Sequence, residues 1–261
     1  MAQNKKHAGM SAISRLHVFK LVIRSLMFLV ALVVYVYKWW VGRHTLAEDP
    51  RFAFPVLAVI WIMFVVEMAL RFFPSKLESM GCQKQFRKNY MPTGREKKLD
   101  SWRSTLAVAA AWFALNGVIG LLYFLGVIEQ GILLLVALFY SVCDMICILF
   151  FCPFQTWFMK NKCCGSCRIY NWDYAMMFTP LVFVPNLYTY SLLLISLALL
   201  VSWEVYVRRF PERFMEATND ALACKNCPEK LCAHKKQLQR FLKENRARFY
   251  IEETIRKRNK E

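Results

Sequence analysis

Apolar residues run through this chain in long blocks rather than in the short alternations of a soluble fold. The blocks cover about 25–41, 53–73, 105–125 and 132–151, and a last stretch covers 174–207. A bilayer core about 30 Å thick takes roughly 20 consecutive apolar residues in helical form. The first four blocks therefore read as one transmembrane helix each. The last is too long for one span and is broken by Pro180 and by Pro185-Asn186. Proline removes a backbone donor and turns the preceding residue away from helix. The stretch splits into a short helix at 172–184, either short or re-entrant, and a full one at 187–207. The pattern predicts an all-α, polytopic membrane helix bundle with six transmembrane helices. A basic lead-in at 1–24 precedes the membrane domain at 25–207, and a cytoplasmic Cys-containing basic tail follows at 208–261.

Composition agrees with this. The chain has 261 residues, 57% hydrophobic and only 20% charged. An aromatic content of 15%, with nine Gly and nine Pro, excludes disordered and collagen-like classes. Trp39, Trp40, Trp157 and Trp172 fall near span ends, where amphipathic rings are favoured. The block after Arg24 is too long for a signal-peptide core and lacks a small-residue cleavage site, so it reads as a retained span. The residues from Ser11 to Arg24 read as an amphipathic lead-in on the inner surface.

Charge sets the orientation. Lys5, Lys6, Arg15, Lys20 and Arg24 precede the first span with no acid among them. The loop 74–104 carries eight basic and three acidic residues, the loop 152–170 three basic ones, and the tail 15 basic and eight acidic. The other connections carry three of each sign. Six crossings place every basic segment on one side, as the positive-inside rule requires, with both termini cytoplasmic. The net charge of +17 is thereby accounted for as topology signals and contacts to anionic lipid. No recognition motif accompanies it, so nucleic acid is not an expected partner. The stretch from Lys230 to Lys260 reads as a basic C-terminal helix, able to lie on the membrane or pair with a second copy in a homo-oligomer.

On that map none of the ten cysteines is on the outer side. Cys143 and Cys147 sit near the inner end of the fourth span, Cys152 ends it, and Cys82, Cys163, Cys164, Cys167, Cys224, Cys227 and Cys232 are cytoplasmic. That compartment disfavours stable disulfides, and clustered thiols there point to metal or redox chemistry. Cys164 and Cys167 form one C-x-x-C pair. Cys224 and Cys227 form a second, with Cys232 five residues on. Such a turn lets two thiolates converge on one metal while backbone amides point at the sulfurs. Two pairs make the four ligands of a zinc or a cubane iron–sulfur cluster. Cys163 competes with Cys164 as a ligand. Cys152, Cys143 and Cys147 are candidates to lie beside a cofactor, and Cys143 and Cys147 also suit plain packing as small apolar residues.

Cys152-Pro153 is similar to the Cys-Pro ending of ferredoxin cluster motifs. The string Phe151-Cys152-Pro153-Phe154 resembles the cytoplasmic cysteine motifs of membrane polyferredoxin-like proteins, without their repeated triplets. Cys163-Cys164-Gly165 with Cys224 and Cys227 resembles the cysteine-rich module of heterodisulfide reductases. Here 59 intervening residues and two spans depart from that pattern. No function is carried over from either.

Charges inside a bilayer are costly and mark functional positions by default. Glu67 lies in the second span, and Asp144 lies in the fourth beside Cys143 and one turn from Cys147. They are the candidate catalytic residues, for proton uptake or contact with a quinone headgroup. Glu67 has Arg71 and Arg24 as candidate partners, and Glu204 has Arg208 at i+4. No Walker loop, dinucleotide fingerprint or nucleophile elbow is present.

Three functions follow. The first is a membrane redox protein with a cysteine-ligated metal centre, iron–sulfur before zinc, passing electrons from a soluble donor to a quinone or a partner membrane subunit. The second is a non-enzymatic membrane protein with a structural four-cysteine zinc site serving assembly or partner docking. The third is an ion or small-molecule transporter using Asp144 and Glu67.

Overall fold

In a computed structural model of the chain, residues 11–40, 50–95, 102–161, 163–227 and 229 are described, with backbone only at 38–39 and 50–56. Cys232 and the predicted C-terminal helix lie outside the described residues. The helices are α1 (Ala12–Trp40), α2 (Pro50–Arg71), α3 (Met80–Gln83), α4 (Trp102–Phe124), α5 (Gln130–Leu149), α6 (Asp173–Phe178) and α7 (Leu187–Arg209). No strand occurs among the described residues, and one isolated β-bridge joins Pro92 to Asn219.

Four helices are long and apolar enough to cross a membrane: Ala12–Tyr37, Trp102–Phe124, Gln130–Leu149 and Leu187–Arg209. α2 is a further 22-residue helix. The first helix departs from expectation. Residues 12–24 do not form a separate surface segment but continue directly into the span as one helix of 29 residues. No Gly or Pro interrupts it, and Ser14, His17 and Arg24 are buried against the rest of the bundle.

Side-chain contacts fix the helix directions. Along α1, Leu21 packs near Met145–Leu149, Arg24 meets Asp144 and Phe28 meets Phe139, so α1 and α5 run antiparallel. Glu67 reaches back to Arg24, and Trp61 donates to Ser191 Oγ at 2.8 Å. Hence α2 runs against α1 and alongside α7. As a result the loops 72–95, 150–172 and 210–227 gather at one end of the bundle, together with all nine described cysteines.

The proline-broken stretch becomes the centre of the molecule. A 3-10 turn at Tyr170–Trp172, then α6, then a 3-10 run at Thr179–Phe183 form an irregular rod beside α7. At one end Trp172 Nε1 donates to Glu204 Oε1 at 2.8 Å. At the other Thr189 Oγ1 donates to the Val184 carbonyl at 2.6 Å. Between Glu204 and Thr189 lie about 22 Å of helix at 1.5 Å per residue. Tyr174, Met177, Phe178 and Leu181 of this rod are almost wholly buried, packed with Phe64, Met68, Leu133, Leu192 and Leu199. Irregular backbone at such depth is tolerated where protein rather than lipid surrounds it.

A small cap closes the cysteine-bearing end, built on α3. Ser79 caps this helix by accepting from Gly81 N at 3.1 Å. Gly81 allows the Tyr170 ring to lie directly on the helix backbone; a Cβ at this position would stand 2.6 Å from Tyr170 Cδ2. Gly81→Ala is expected to lower the thermal unfolding midpoint in detergent. The overpacking cost is about 1–3 kcal/mol, because a buried ring has little room to retreat.

Candidate functional site

Two features occupy the half of the bundle next to the cap: a network of buried charges and a sulfur-lined cavity. Arg24, with no exposed side-chain surface, stands at the middle of the network. Its NH2 donates to Glu67 Oε2, and its NH1 donates to Asp144 Oδ2 at 3.0 Å and to the Ser141 carbonyl at 3.1 Å. The Tyr174 hydroxyl donates to the same Glu67 oxygen at 2.8 Å. Lys20 lies 3.7 Å from Glu67 and 3.2 Å from Glu78. One layer further out, Arg71 pairs with Asp173 at 2.6 Å and sits under the Tyr174 ring, 4.5 Å from its centroid. Glu67 thus takes Arg24 rather than Arg71. Asp144, which has no partner on its own helix, finds one across the bundle. Glu204 also differs from expectation: its carboxylate is held by both guanidinium nitrogens of Arg168, at 2.6 and 2.5 Å, instead of by Arg208. A planar fork on a carboxylate is the stronger geometry.

The cavity, of about 140 Å³, lies beside this network. Cys143 and Cys147 of α5, Cys152 just beyond it, and Cys164 and Cys167 of the next loop all line it, along with Asp144, Asp173, Met176 and Met177. Trp112, Tyr140 and Phe154 form much of its apolar wall. Gln155 ties the sulfurs together: its backbone N–H points at Cys152 Sγ (3.4 Å), and its Oε1 accepts from Cys164 Sγ (2.7 Å). Residues far apart in the sequence reading, the in-span pair and the first C-x-x-C, therefore share one space.

Both C-x-x-C runs close as tight turns, Cys167 N to Cys164 O at 2.9 Å and Cys227 N to Cys224 O at 3.4 Å. Beside the first, Gly165 N donates to Cys163 Sγ at 3.3 Å, so the amide-to-sulfur contact falls on Cys163, just outside the C-x-x-C pair. Both runs sit next to the α3 cap. On one side Lys84 Nζ donates to the carbonyls of Gly165 (3.0 Å) and Cys167 (2.7 Å). On the other, just past Cys227, the Glu229 carboxylate accepts from Ser79 Oγ (2.6 Å) and Met80 N (2.8 Å). Cys224 is exposed, Cys227 half-buried, and Cys232 and His234 are outside the described residues. Among the described residues no three Cys, His, Asp or Glu side chains are placed to share one metal ion. Cys82 is wholly buried, donates to the Ser79 carbonyl at 3.1 Å, and has its thiol pushed up by burial, which suits a packed, protonated role.

Lys84 is the residue that sequence reading passed over. It is fully buried among Trp203, Phe214, Cys163 and Cys167, and no carboxylate pairs with it among the described residues. Its only signal in the sequence was one more positive charge in a basic loop. The chain matches no known protein family, no curated protein and no solved structure.

Two outcomes follow from the geometry. Arg24→Ala strands two buried carboxylates and is expected to cost about 3–5 kcal/mol, seen as lost folded yield and a lower unfolding midpoint. Adding Glu67→Gln and Asp144→Asn to that variant is expected to restore part of the loss. Burial lowers Lys84 from its ordinary 10.5 to about 8. Between those values the unfolded chain holds the extra proton, so this residue's contribution to stability rises with pH through the window, by about 3 kcal/mol in all. Wild type is therefore expected to gain stability relative to Lys84→Met between pH 8 and 10, measured by denaturant unfolding. The comparison removes the opposing effect of Cys82 and Tyr170, whose upward shifts are common to both proteins.

Proposed function

We propose that this is an integral membrane redox protein of six crossings, with both termini and all its thiols on the cytoplasmic face. A metal centre, an iron–sulfur cluster before a zinc, would be held beside the α3 cap by the two C-x-x-C turns with Cys232, and it needs the turns to close on one another, since no three of the described ligands share one site as the chain stands. Electrons from a soluble donor pass through it to the sulfur-lined cavity and on to a quinone or a partner membrane subunit. The observation that supports this most is the convergence of Cys143, Cys147, Cys152, Cys164 and Cys167 on one cavity at the edge of the cap. A packing role needs no such gathering of sulfur. The length of α7 traversed by residues 172–184 favours a sixth crossing. So does the gathering of the described basic loops at one end. Anionic lipid headgroups are the natural partners of that end. Asp144 lines the cavity, with Glu67 behind it across Arg24, and there a proton would accompany the electron.

The docked tail favours a second reading. Glu229 anchors it to α3, and its backbone carbonyl accepts from Ser14 Oγ at 2.8 Å. A four-cysteine zinc, shared between the Cys164/Cys167 and Cys224/Cys227 turns, would brace that contact for assembly or partner docking.

One experiment separates the two. Protein purified anaerobically is expected to be coloured and to carry iron and acid-labile sulfide. Both should be lost in Cys164→Ser/Cys167→Ser and in Cys224→Ser/Cys227→Ser. Colourless protein with one zinc per chain, lost in both variants, supports the bracing role. Folded protein with no metal overturns both.

A further inference from the structure

We propose that a second cavity, at the end of the bundle away from the cap, binds the headgroup of an ammonium-bearing phospholipid, with Glu129 as its counter-charge and the rings of Tyr123 and Tyr188 beside it. This cavity measures about 500 Å³, more than the sulfur-lined one, and falls within the roughly 300–1,000 Å³ of small-molecule sites. It forms where the start of α5, the close of the irregular rod and the start of α7 come together. Leu57, Leu134 and Val184 give it an apolar wall. Its polar side is held in place by the fold. Gln130 Nε2 donates to the Tyr123 hydroxyl at 3.4 Å, and the Tyr123 ring lies 5.8 Å from that of Phe183. The Asn186 side chain accepts from Tyr188 N at 3.0 Å, and the Tyr188 ring stands edge-on to Trp61 at 6.0 Å.

Charge and exposure name the occupant. Glu129 is the one charged side chain among the described residues that line the cavity. It is the N-cap of α5 but makes no capping bond, and no basic side chain pairs with it among the described residues. An open carboxylate at the mouth of a cavity, in a chain of net charge +17, selects a cation. Tyrosine faces favour an ammonium over a metal ion. The surroundings of the mouth then call for acyl chains. Val127 and Leu187, next along the chain from the lining residues Ile128 and Asn186, are 65% and 83% exposed. Apolar side chains so bare are covered by hydrocarbon rather than by water, and a free amine would cover neither. A phospholipid with an ammonium head meets both demands in one molecule. The basic loops at the cap end attract lipids of the opposite character, so the two ends of the bundle sort lipids by charge. The site needs neither a metal nor the redox reading.

The test uses full-length protein in detergent with phosphatidylethanolamine carrying a photoactivatable diazirine in its acyl chain. Cross-linked peptides are mapped by mass spectrometry. The expected labels fall on peptides covering 123–134 and 184–190, and unlabelled phosphatidylethanolamine competes for them while phosphatidylglycerol of the same chain length does not. Glu129→Gln, a change at an exposed position, is expected to weaken that competition about fivefold, and Glu129→Asp to keep most of it. Labels spread over the lipid-facing helices, equal competition by phosphatidylglycerol, or binding unchanged in Glu129→Gln overturns the proposal. So does phosphoethanolamine without acyl chains if it competes as well as the lipid, since the ligand would then be a soluble amine. The wild-type map and its competitors decide even where a variant fails to fold.

Discussion

A guanidinium buried among carboxylates holds this bundle together. Arg24 joins α1 to α2 through Glu67 and to α5 through Asp144, at a depth where none of the three charges has a solvated alternative. Removing two opposite charges from water costs several kcal/mol each, and only close pairing with full hydrogen bonding recovers that cost. Here Ser141 and Tyr174 occupy further positions around the pair, so the arrangement tolerates little displacement. Such a network fixes helix rotation as well as helix contact. An apolar seam between α1 and α5 would permit several registers; one that must align Arg24 with Asp144 permits one.

The cap depends on that register. Arg71, one turn past Glu67 on α2, ties Asp173 and Asn171 to the same layer, and Gln85 donates to the Arg71 carbonyl at 2.9 Å. From there the chain reaches α3, on which Tyr170, Lys84 and Glu229 organise the two cysteine-bearing segments. Lys84 does for the first C-x-x-C turn what a salt bridge would do elsewhere: it holds two carbonyls with an ammonium whose other surroundings are the faces of Trp203 and Phe214. The cysteine-bearing end is therefore braced by buried cations from two sides, Arg24 and Arg71 on one and Lys84 on the other.

Much of the bundle was legible in the sequence because bilayer length and proline position leave strong marks. The blocks at 105–125, 132–151 and 187–207 correspond to α4, α5 and α7 within a few residues. The break at Pro180 and Pro185 became the irregular central rod. Residues 12–24 were misjudged because polar side chains on a lead-in look the same whether they face water or a buried counter-charge. Arg24 illustrates this: counted as a topology signal, it became the central cation. The gathering of Cys143, Cys147 and Cys152 with Cys164 and Cys167 was hidden for a related reason. Spacing along a chain reports pairs within one turn, whereas the path of the chain beyond α5 is set by tertiary packing. The i+4 pairing of Glu204 with Arg208 failed in the same way, since a distant Arg168 offered a two-pronged partner that periodicity cannot reveal.

The rod from Trp172 to Val184 has a consequence for how the protein enters its membrane. It carries two short 3-10 pieces and a helix of only six residues, so several of its amides lack the regular i to i−4 pairing. Released singly into lipid during synthesis, it would expose those groups to hydrocarbon. Its shelter is built from α2, α5 and α7, and α7 is made after it. On the six-crossing reading proposed above, the insertion machinery retains this segment until the following helix emerges, and the two leave together as one hairpin.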